Sequence, residues 1–80
     1  MKTVELTDKA LEDASYSWQN FTPMCVSWRQ LARTRDETAP YLYKEPVRVV
    51  WDGVTILEGT IRKCSLEQSG DAWRWNIEAC

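Results

Sequence analysis

The chain has 80 residues, no His and a formal net charge of −2, with acidic and basic residues interspersed. Because no basic stripe is present to neutralise phosphates, nucleic acid is excluded as an expected partner. No apolar run is long enough to span a bilayer and no signal-peptide pattern follows Met1, so we expect a soluble protein without a membrane partner. A chain this short forms one domain over residues 1–80 and buries only about 60–65% of its unfolded surface.

The first segment, residues 1–7, alternates between apolar and polar residues. Val4 and Leu6 would then face inward from a first strand. Alternatively, the Thr-Asp pair at 7–8 caps a short helical turn over residues 9–13.

The next two segments predict a strand pair. Residues 14–18 alternate and favour a strand, and residues 19–23 form a turn, because Pro23 cannot donate a hydrogen bond within a central strand. Residues 24–31 are ambiguous between strand and helix, since their apolar positions fit both periods. The β-branched and aromatic residues in this stretch, together with the surrounding strands, favour a strand.

The middle of the chain predicts a loop, or one turn of helix, over residues 34–39, which are polar and are followed by Pro40. The aromatic triplet of residues 41–43 is short and lies between prolines. We expect it to cross over an open end of the sheet.

The strongest pattern begins at Pro46, where two apolar runs flank Asp52 and Gly53. Asp-Gly between β-branched runs predicts a type I′ hairpin, in which both central residues have positive φ. That turn predicts three cross-strand pairs on one face, Trp51 with Val54, Val49 with Ile56 and Val47 with Glu58. On the other face it predicts two, Val50 with Thr55 and Arg48 with Leu57. Strict alternation fails at Glu58 and Gly59, so we expect a bulge or a bend there that returns Ile61 to the core.

A second turn over residues 67–71 leads to a last strand over residues 72–79. Its apolar face holds Trp73, Trp75, Ile77 and Ala79, and its polar face holds Arg74, Asn76 and Glu78. These segments predict a mainly β fold, a small antiparallel and partly open barrel built on the carboxyl-terminal meander.

The sequence offers little catalytic chemistry. Without His the usual general base near neutral pH is missing, and no glycine-rich phosphate loop is present, so we expect no enzyme activity and no cofactor. Three widely spaced cysteines are too few ligands for a structural metal site. They are interpreted as small apolar residues, with a Cys64–Cys80 disulfide or an intermolecular bond through Cys80 as alternatives.

Two groups of side chains are candidates for function. One is the aromatic set of Trp51, Trp73 and Trp75, which either fills the core or forms a face on which sugar rings stack. The other is a polar set that is either a solvated face or an assembly interface: Arg48, Arg62, Arg74 and Glu78.

The order of these motifs resembles the opening β domain of phage tail-hub and baseplate proteins of the late-control or tail protein D type. The resemblance covers roughly residues 11–80 and is carried by four motifs: the strand pair 14–18 and 24–31, the entry 43–49, the hairpin 51–61, and the final strand 73–79.

This resemblance implies a structural module of a virion tail or of a prophage expressed in the bacterial cytoplasm. Its partners would be copies of itself and other tail or baseplate proteins, through protein–protein interaction in a ring. The alternative is a carbohydrate-binding or ligand-binding β module that uses its aromatic face. The end at Cys80, directly after a strongly patterned strand, favours a piece of a longer protein.

Overall fold

The structure is a computed structural model that describes residues 1–19 and 22–80, with the backbone alone at residues 18, 19, 22–24 and 69. The described residues form strands and no helix, so the expected mainly β, partly open barrel is confirmed. The strands are β1 (Lys2–Glu5), β2 (Leu11–Gln19), β3 (Thr22–Leu31), β4 (Pro46–Trp51), β5 (Val54–Ser69) and β6 (Ala72–Ala79).

The six strands form one curled sheet in the order β1-β4-β5-β6-β3-β2. All neighbours are antiparallel except β1 and β4, which are parallel, so the expected antiparallel sheet is in fact mixed. The long strand β5 pairs with β4 through its first half and with β6 through its second half. It therefore joins the two halves of the half-barrel.

The core lies on the concave face of the curled sheet and contains no charged residue among the described positions. Val26 and Trp28 of β3 are fully buried, which confirms a strand over residues 24–31. Val4 and Leu6 are buried as expected of a first strand. The buried set is Val4, Leu6, Val26, Trp28, Ala32, Val47, Val49, Ile61, Trp75, Ile77 and Ala79.

The backbone decides between the two alternatives for the amino-terminal segment, a first strand or a helical turn over residues 9–13. Residues 9–13 do not form a helical turn; β2 begins at Leu11, and Asp8 instead accepts a hydrogen bond from the Ala10 amide at 2.9 Å. An aspartate that caps such a turn offers the backbone an alternative to a helix. The centre of the turn expected over residues 19–23, Asn20 and Phe21, lies outside the described residues.

The loop over residues 34–39 is confirmed. In the segment that follows, Tyr41 packs edge-on against the buried Trp28, with ring centroids 5.9 Å apart, while Leu42 and Tyr43 are exposed. A single aromatic side chain of the triplet therefore fixes this crossover to the core.

The β4–β5 hairpin has the predicted turn. Asp52 and Gly53 have φ of 50° and 81°, and Trp51 pairs with Val54. The pair of Val50 with Thr55 is confirmed as well. The other three predicted pairs are wrong, because a bulge at Ile56 shifts the register and places Val49 opposite Leu57.

Gly59 lies in regular pairing with Val47, so the bulge expected at this glycine is wrong. A second register shift occurs at Arg62, between Ile61 and Lys63, and Ile61 is buried as predicted. Gly59 is required instead for close approach, since an added Cβ would lie 2.6 Å from the carbonyl carbon of Cys80.

The second turn is shorter than predicted. Strand β5 continues through Ser69, and Gly70 and Asp71 alone connect it to Ala72. Gly70 has a φ of 63°, which a residue without a Cβ adopts at no steric cost.

Cys25 and Cys80 form a disulfide, so the interpretation of all three cysteines as small apolar residues is wrong for these two. The alternative Cys64–Cys80 bond is wrong as well. The strand register explains the pairing. Val26 lies opposite Ala79, which makes Cys25 and Cys80 the next pair along β3 and β6, whereas Cys64 lies opposite Ile77. Cys64 is a free, half-buried thiol.

We expect Gly59→Ala to destabilise the fold by about 1–3 kcal/mol, because the new methyl group must displace backbone at Cys80. Denaturant unfolding of the oxidised protein measures this change. Thr55→Ala, at an exposed position of the same strand, is the control and should stay within about 0.5 kcal/mol of wild type. Equal stability of the two variants would show that this close contact is not present in solution.

Candidate functional site

The candidate site is the open seam of the half-barrel, where the sheet has its two edge strands. β1 and β2 are the first and last strands of the sheet, and each pairs with one neighbour only. Between them lies a groove of about 480 Å³, called the seam groove below, whose walls include Thr3, Glu5, Lys9, Leu11, Gln30 and Leu31. Leu31 is 58% exposed and gives the groove an apolar surface.

The backbone of β1 presents hydrogen-bonding groups to the seam groove. The Leu6 amide donates to the Val50 carbonyl at 2.8 Å, so even-numbered residues of this strand direct their backbone groups toward β4. Since direction alternates along a strand, Thr3 and Glu5 direct theirs toward the groove. The Glu5 carbonyl accepts from the Asp8 amide at 3.1 Å. The free edge therefore consists of the Thr3 amide and carbonyl and the Glu5 amide.

The edge of β2 is irregular by comparison. Its pairing with β3 shifts register between Glu12 and Ser15 and again between Ser17 and Trp18, and Asp13 has a φ of 52°. Bulges of this kind twist an edge strand and interrupt the ladder that an incoming strand would need. Strand β1, whose pairing with β4 has no register shift, is the more regular template.

Lys2 fixes the start of β1. Its ammonium group donates to the Pro40 carbonyl at 2.7 Å, lies 3.0 Å from the Glu45 carboxylate, and is 5.1 Å from the centre of the Tyr41 ring. The hydrogen bond from the Leu42 amide, followed by the contact with Lys2, holds the pKa of Glu45 below its ordinary value. The first strand is thus tied to the crossover between β3 and β4.

Glu5 fixes the end of β1. Its carboxylate accepts hydrogen bonds from the backbone amides of Asp52 at 3.1 Å, Gly53 at 3.2 Å and Thr7 at 3.4 Å. Burial raises the pKa of this carboxyl group, but the hydrogen bonds from the Gly53, Thr7 and Asp52 amides outweigh it and the net direction is downward. The carboxylate therefore joins β1 to the tight turn of the β4–β5 hairpin.

The three candidate tryptophans are in different environments. Trp75 is 6% exposed and its indole N–H donates to Glu37 at 2.7 Å, while Trp73 is half-buried against the core. Because Trp75 is buried, these two do not form a stacking face. Trp51 is 40% exposed, so its assignment to the core is wrong; its ring contacts Tyr16 edge-on, with centroids 5.8 Å apart.

The polar candidates make separate contacts on three strands. Arg48 pairs with Glu58 across β4 and β5 at 3.1 Å, and Arg74 pairs with Glu12 at 2.8 Å. Arg62 is exposed at the second register shift. Glu78 is half-buried beside the Cys25–Cys80 disulfide. A shared interface of Arg48, Arg62, Arg74 and Glu78 stays a prediction.

Sequence reasoning missed four residues whose polar contacts tie β1 and the β3–β4 crossover to the rest of the sheet: Lys2, Glu5, Glu37 and Glu45. Each acts on backbone or side chains far along the chain; Glu5 and Asp52 are 47 residues apart. The one available signal was the alternation that placed Val4 and Leu6 inside, because it also places Glu5 outside the core.

Comparison with protein-family models, with curated proteins and with solved structures gives no match. Among the described residues, no helix has the length and apolar character needed to cross a membrane.

We expect Glu5→Gln to lower the melting temperature at neutral pH by a few degrees. The pKa of Glu5 is below its ordinary value of 4.5, so the stability that its carboxylate contributes is present above that pH and is lost as pH falls through the folded pKa. The difference between wild type and variant should therefore shrink on acidification. Thermal unfolding between neutral and acidic pH measures both.

The control for this prediction is Glu58→Gln, which removes an exposed carboxylate that pairs with Arg48 and does not contact the turn. We expect a smaller effect, because exposed ion pairs contribute little. A Glu5→Gln deficit that is the same at every pH would contradict the role of the carboxylate charge.

Proposed function

We propose that the chain is a structural module that binds other proteins by adding one of their extended segments to the free edge of β1. This proposal rests on one observation: the backbone amide and carbonyl of Thr3 point into the seam groove and not toward β4. A strand edge that faces an open groove is the arrangement by which extended peptides join a sheet, where main-chain hydrogen bonds supply affinity. An added strand would extend the sheet from β1 toward β2.

The shape of the two edge strands favours binding of one partner segment at a defined position and disfavours open-ended aggregation. Edge strands are blunted by shortness and by bulges. β1 has only four residues, and β2 has two register shifts. An incoming strand can therefore pair regularly with β1 alone, over a short length and in one register, and this favours a closed assembly.

The resemblance to phage tail-hub β domains supplies the proposed partners. These are copies of the chain itself and other tail or baseplate proteins, in a virion tail or in the cytoplasm of a bacterium that carries a prophage. Strand addition from one copy to the next is a heterologous contact, which closes into a ring when the rotation between copies allows it. In this proposal the chain has no catalytic role; the chain contains no His.

We expect Thr3→Pro to abolish self-association while the fold is retained. The Thr3 amide points away from β4, so proline there removes a donor of the free edge and none of the β1–β4 ladder. Thr3→Val keeps the amide and is the matched control. Light scattering over a range of protein concentrations gives the mass, and circular dichroism checks the fold.

The proposal requires that wild type and Thr3→Val form the same oligomer and that Thr3→Pro is a monomer. A monomeric wild type at all concentrations, or an unchanged oligomer in Thr3→Pro, would overturn strand addition at β1 between copies.

A second candidate function, binding of carbohydrate, is favoured by the exposure of Trp51 beside Tyr16. Aromatic rings that present apolar surface to solvent can stack on the faces of sugar rings. Under this alternative, a glycan screen detects binding by wild type and Trp51→Ala abolishes it. Tyr43→Ala, at another exposed aromatic position, is the control and should bind as wild type does. A blank glycan screen would reject this candidate.

A further inference from the structure

The end of β6 brings three potential metal ligands together on one face of the sheet. The two sulfur atoms of Cys25 and Cys80 and a carboxylate oxygen of Glu78 lie within 4.8 Å of one another. All three side chains are half-buried. In the structure the two sulfurs are joined as a disulfide, with their Cα atoms 4.2 Å apart.

The sheet itself sets this arrangement. Val26 and Ala79 are paired on neighbouring antiparallel strands. Cys25 precedes Val26 and Cys80 follows Ala79, so the two cysteines are the next pair and their side chains lie side by side. Glu78 precedes Cys80 by two residues on β6, and residues two apart on a strand face the same side. The cluster therefore depends on strand register and does not need the disulfide to bring its members together.

The cluster opens onto a shallow hollow of about 260 Å³ between the outer faces of β2, β3 and β6. Its walls carry the hydroxyl groups of Ser15, Ser17 and Ser27, and the first and last of these are hydrogen-bonded to each other at 2.9 Å. Ser27 and Lys63 lie opposite Glu78 on the two neighbouring strands. The hollow provides space and polar groups for water beside Cys25 and Glu78, which both line it.

We propose that, when the disulfide is reduced, Cys25, Cys80 and Glu78 form a binding site for a divalent cation that accepts thiolate ligands, of which Zn²⁺ is the type case. Two thiolates and one carboxylate are ligands that this cation takes in proteins, and the remaining position is filled by water. The site would exchange with the disulfide according to the redox state of the surroundings.

Exchange between the disulfide and the metal site needs a partner that gives or takes two electrons. A thiol reductant supplies two electrons and two protons, which cleave the sulfur–sulfur bond and give two thiols, while the reductant becomes a disulfide. Binding of the cation then releases the two thiol protons to solvent, since thiolate is the ligand form. In the reverse direction, exchange of the two thiolates with a small-molecule disulfide re-forms the Cys25–Cys80 bond, reduces that molecule to two thiolates and expels the metal ion.

Cys64 lies outside this site and provides the matched control. It is opposite Ile77 on β5, and burial raises the pKa of its thiol. A half-buried thiol in apolar surroundings is a weak ligand and a slow nucleophile. Cys64→Ser therefore removes one thiol from the chain and leaves the proposed ligands intact.

The test is titration of the full chain with Co²⁺, followed by Zn²⁺, after reduction by a phosphine. Tetrahedral cobalt with thiolate ligands gives charge-transfer and d–d absorption bands, which Zn²⁺ removes as it displaces the probe. We expect one equivalent to bind to reduced wild type and to Cys64→Ser, and none to the oxidised protein. Glu78→Gln, which can still form the disulfide, should bind about tenfold or more weakly, and Cys25→Ser should lose the thiolate bands of a two-sulfur site.

Circular dichroism of each reduced variant shows that the fold persists, and oxidised Glu78→Gln serves as a folded reference. Three results would overturn the proposal: no Co²⁺ bands in reduced, folded wild type; loss of binding in Cys64→Ser; or unchanged affinity in Glu78→Gln. Binding of equal strength by the oxidised protein would also overturn it, because the sulfurs of a disulfide are not thiolates.

Discussion

The fold depends on the pairing of one long strand with two different partners. Strand β5 has 16 residues, and it pairs with β4 before Ile61 and with β6 after it. Ile61 lies fully buried where the two halves meet. Because neither half forms a closed layer, the apolar faces of both halves are covered only when β5 bends and brings them together. The curl of the sheet and the seam between β1 and β2 follow from this bend.

The seam is held by polar contacts at both ends of a very short strand. Lys2 ties β1 to the crossover before β4, and Glu5 ties it to the turn after β4. A four-residue strand has few ladder hydrogen bonds of its own, so these charged contacts contribute much of its order. They also leave the middle of the strand, at Thr3, free on its outer edge.

The sequence was informative where structure is local. The Asp52-Gly53 turn, the strand over residues 24–31 and the inward position of Val4 follow from turn chemistry and alternation, and the structure has all of them. Ile61 is buried as predicted, but the bulge that shifts the register before it lies at Ile56. The bulge was misplaced because the glycine that suggested it serves the approach of Cys80, a contact no local pattern reveals. The parallel pairing of β1 with β4, the Cys25–Cys80 bond and the reach of Glu5 all join distant residues. The candidate site is built from such contacts, so it could not be predicted from local patterns.

The parallel pairing of β1 with β4 also has a kinetic consequence. Its contacts close a loop of about half the chain, since Glu5 and Asp52 are separated by 47 residues. Contacts of long sequence separation form late, after the local hairpins have removed part of the entropy of the chain. Strand β1 is therefore expected to join the sheet after these hairpins have formed, and a short edge strand is also the first to open in the native state. While β1 is open, the edge of β4 that it normally covers is exposed. The same segment therefore controls access to two strand edges, its own and that of β4.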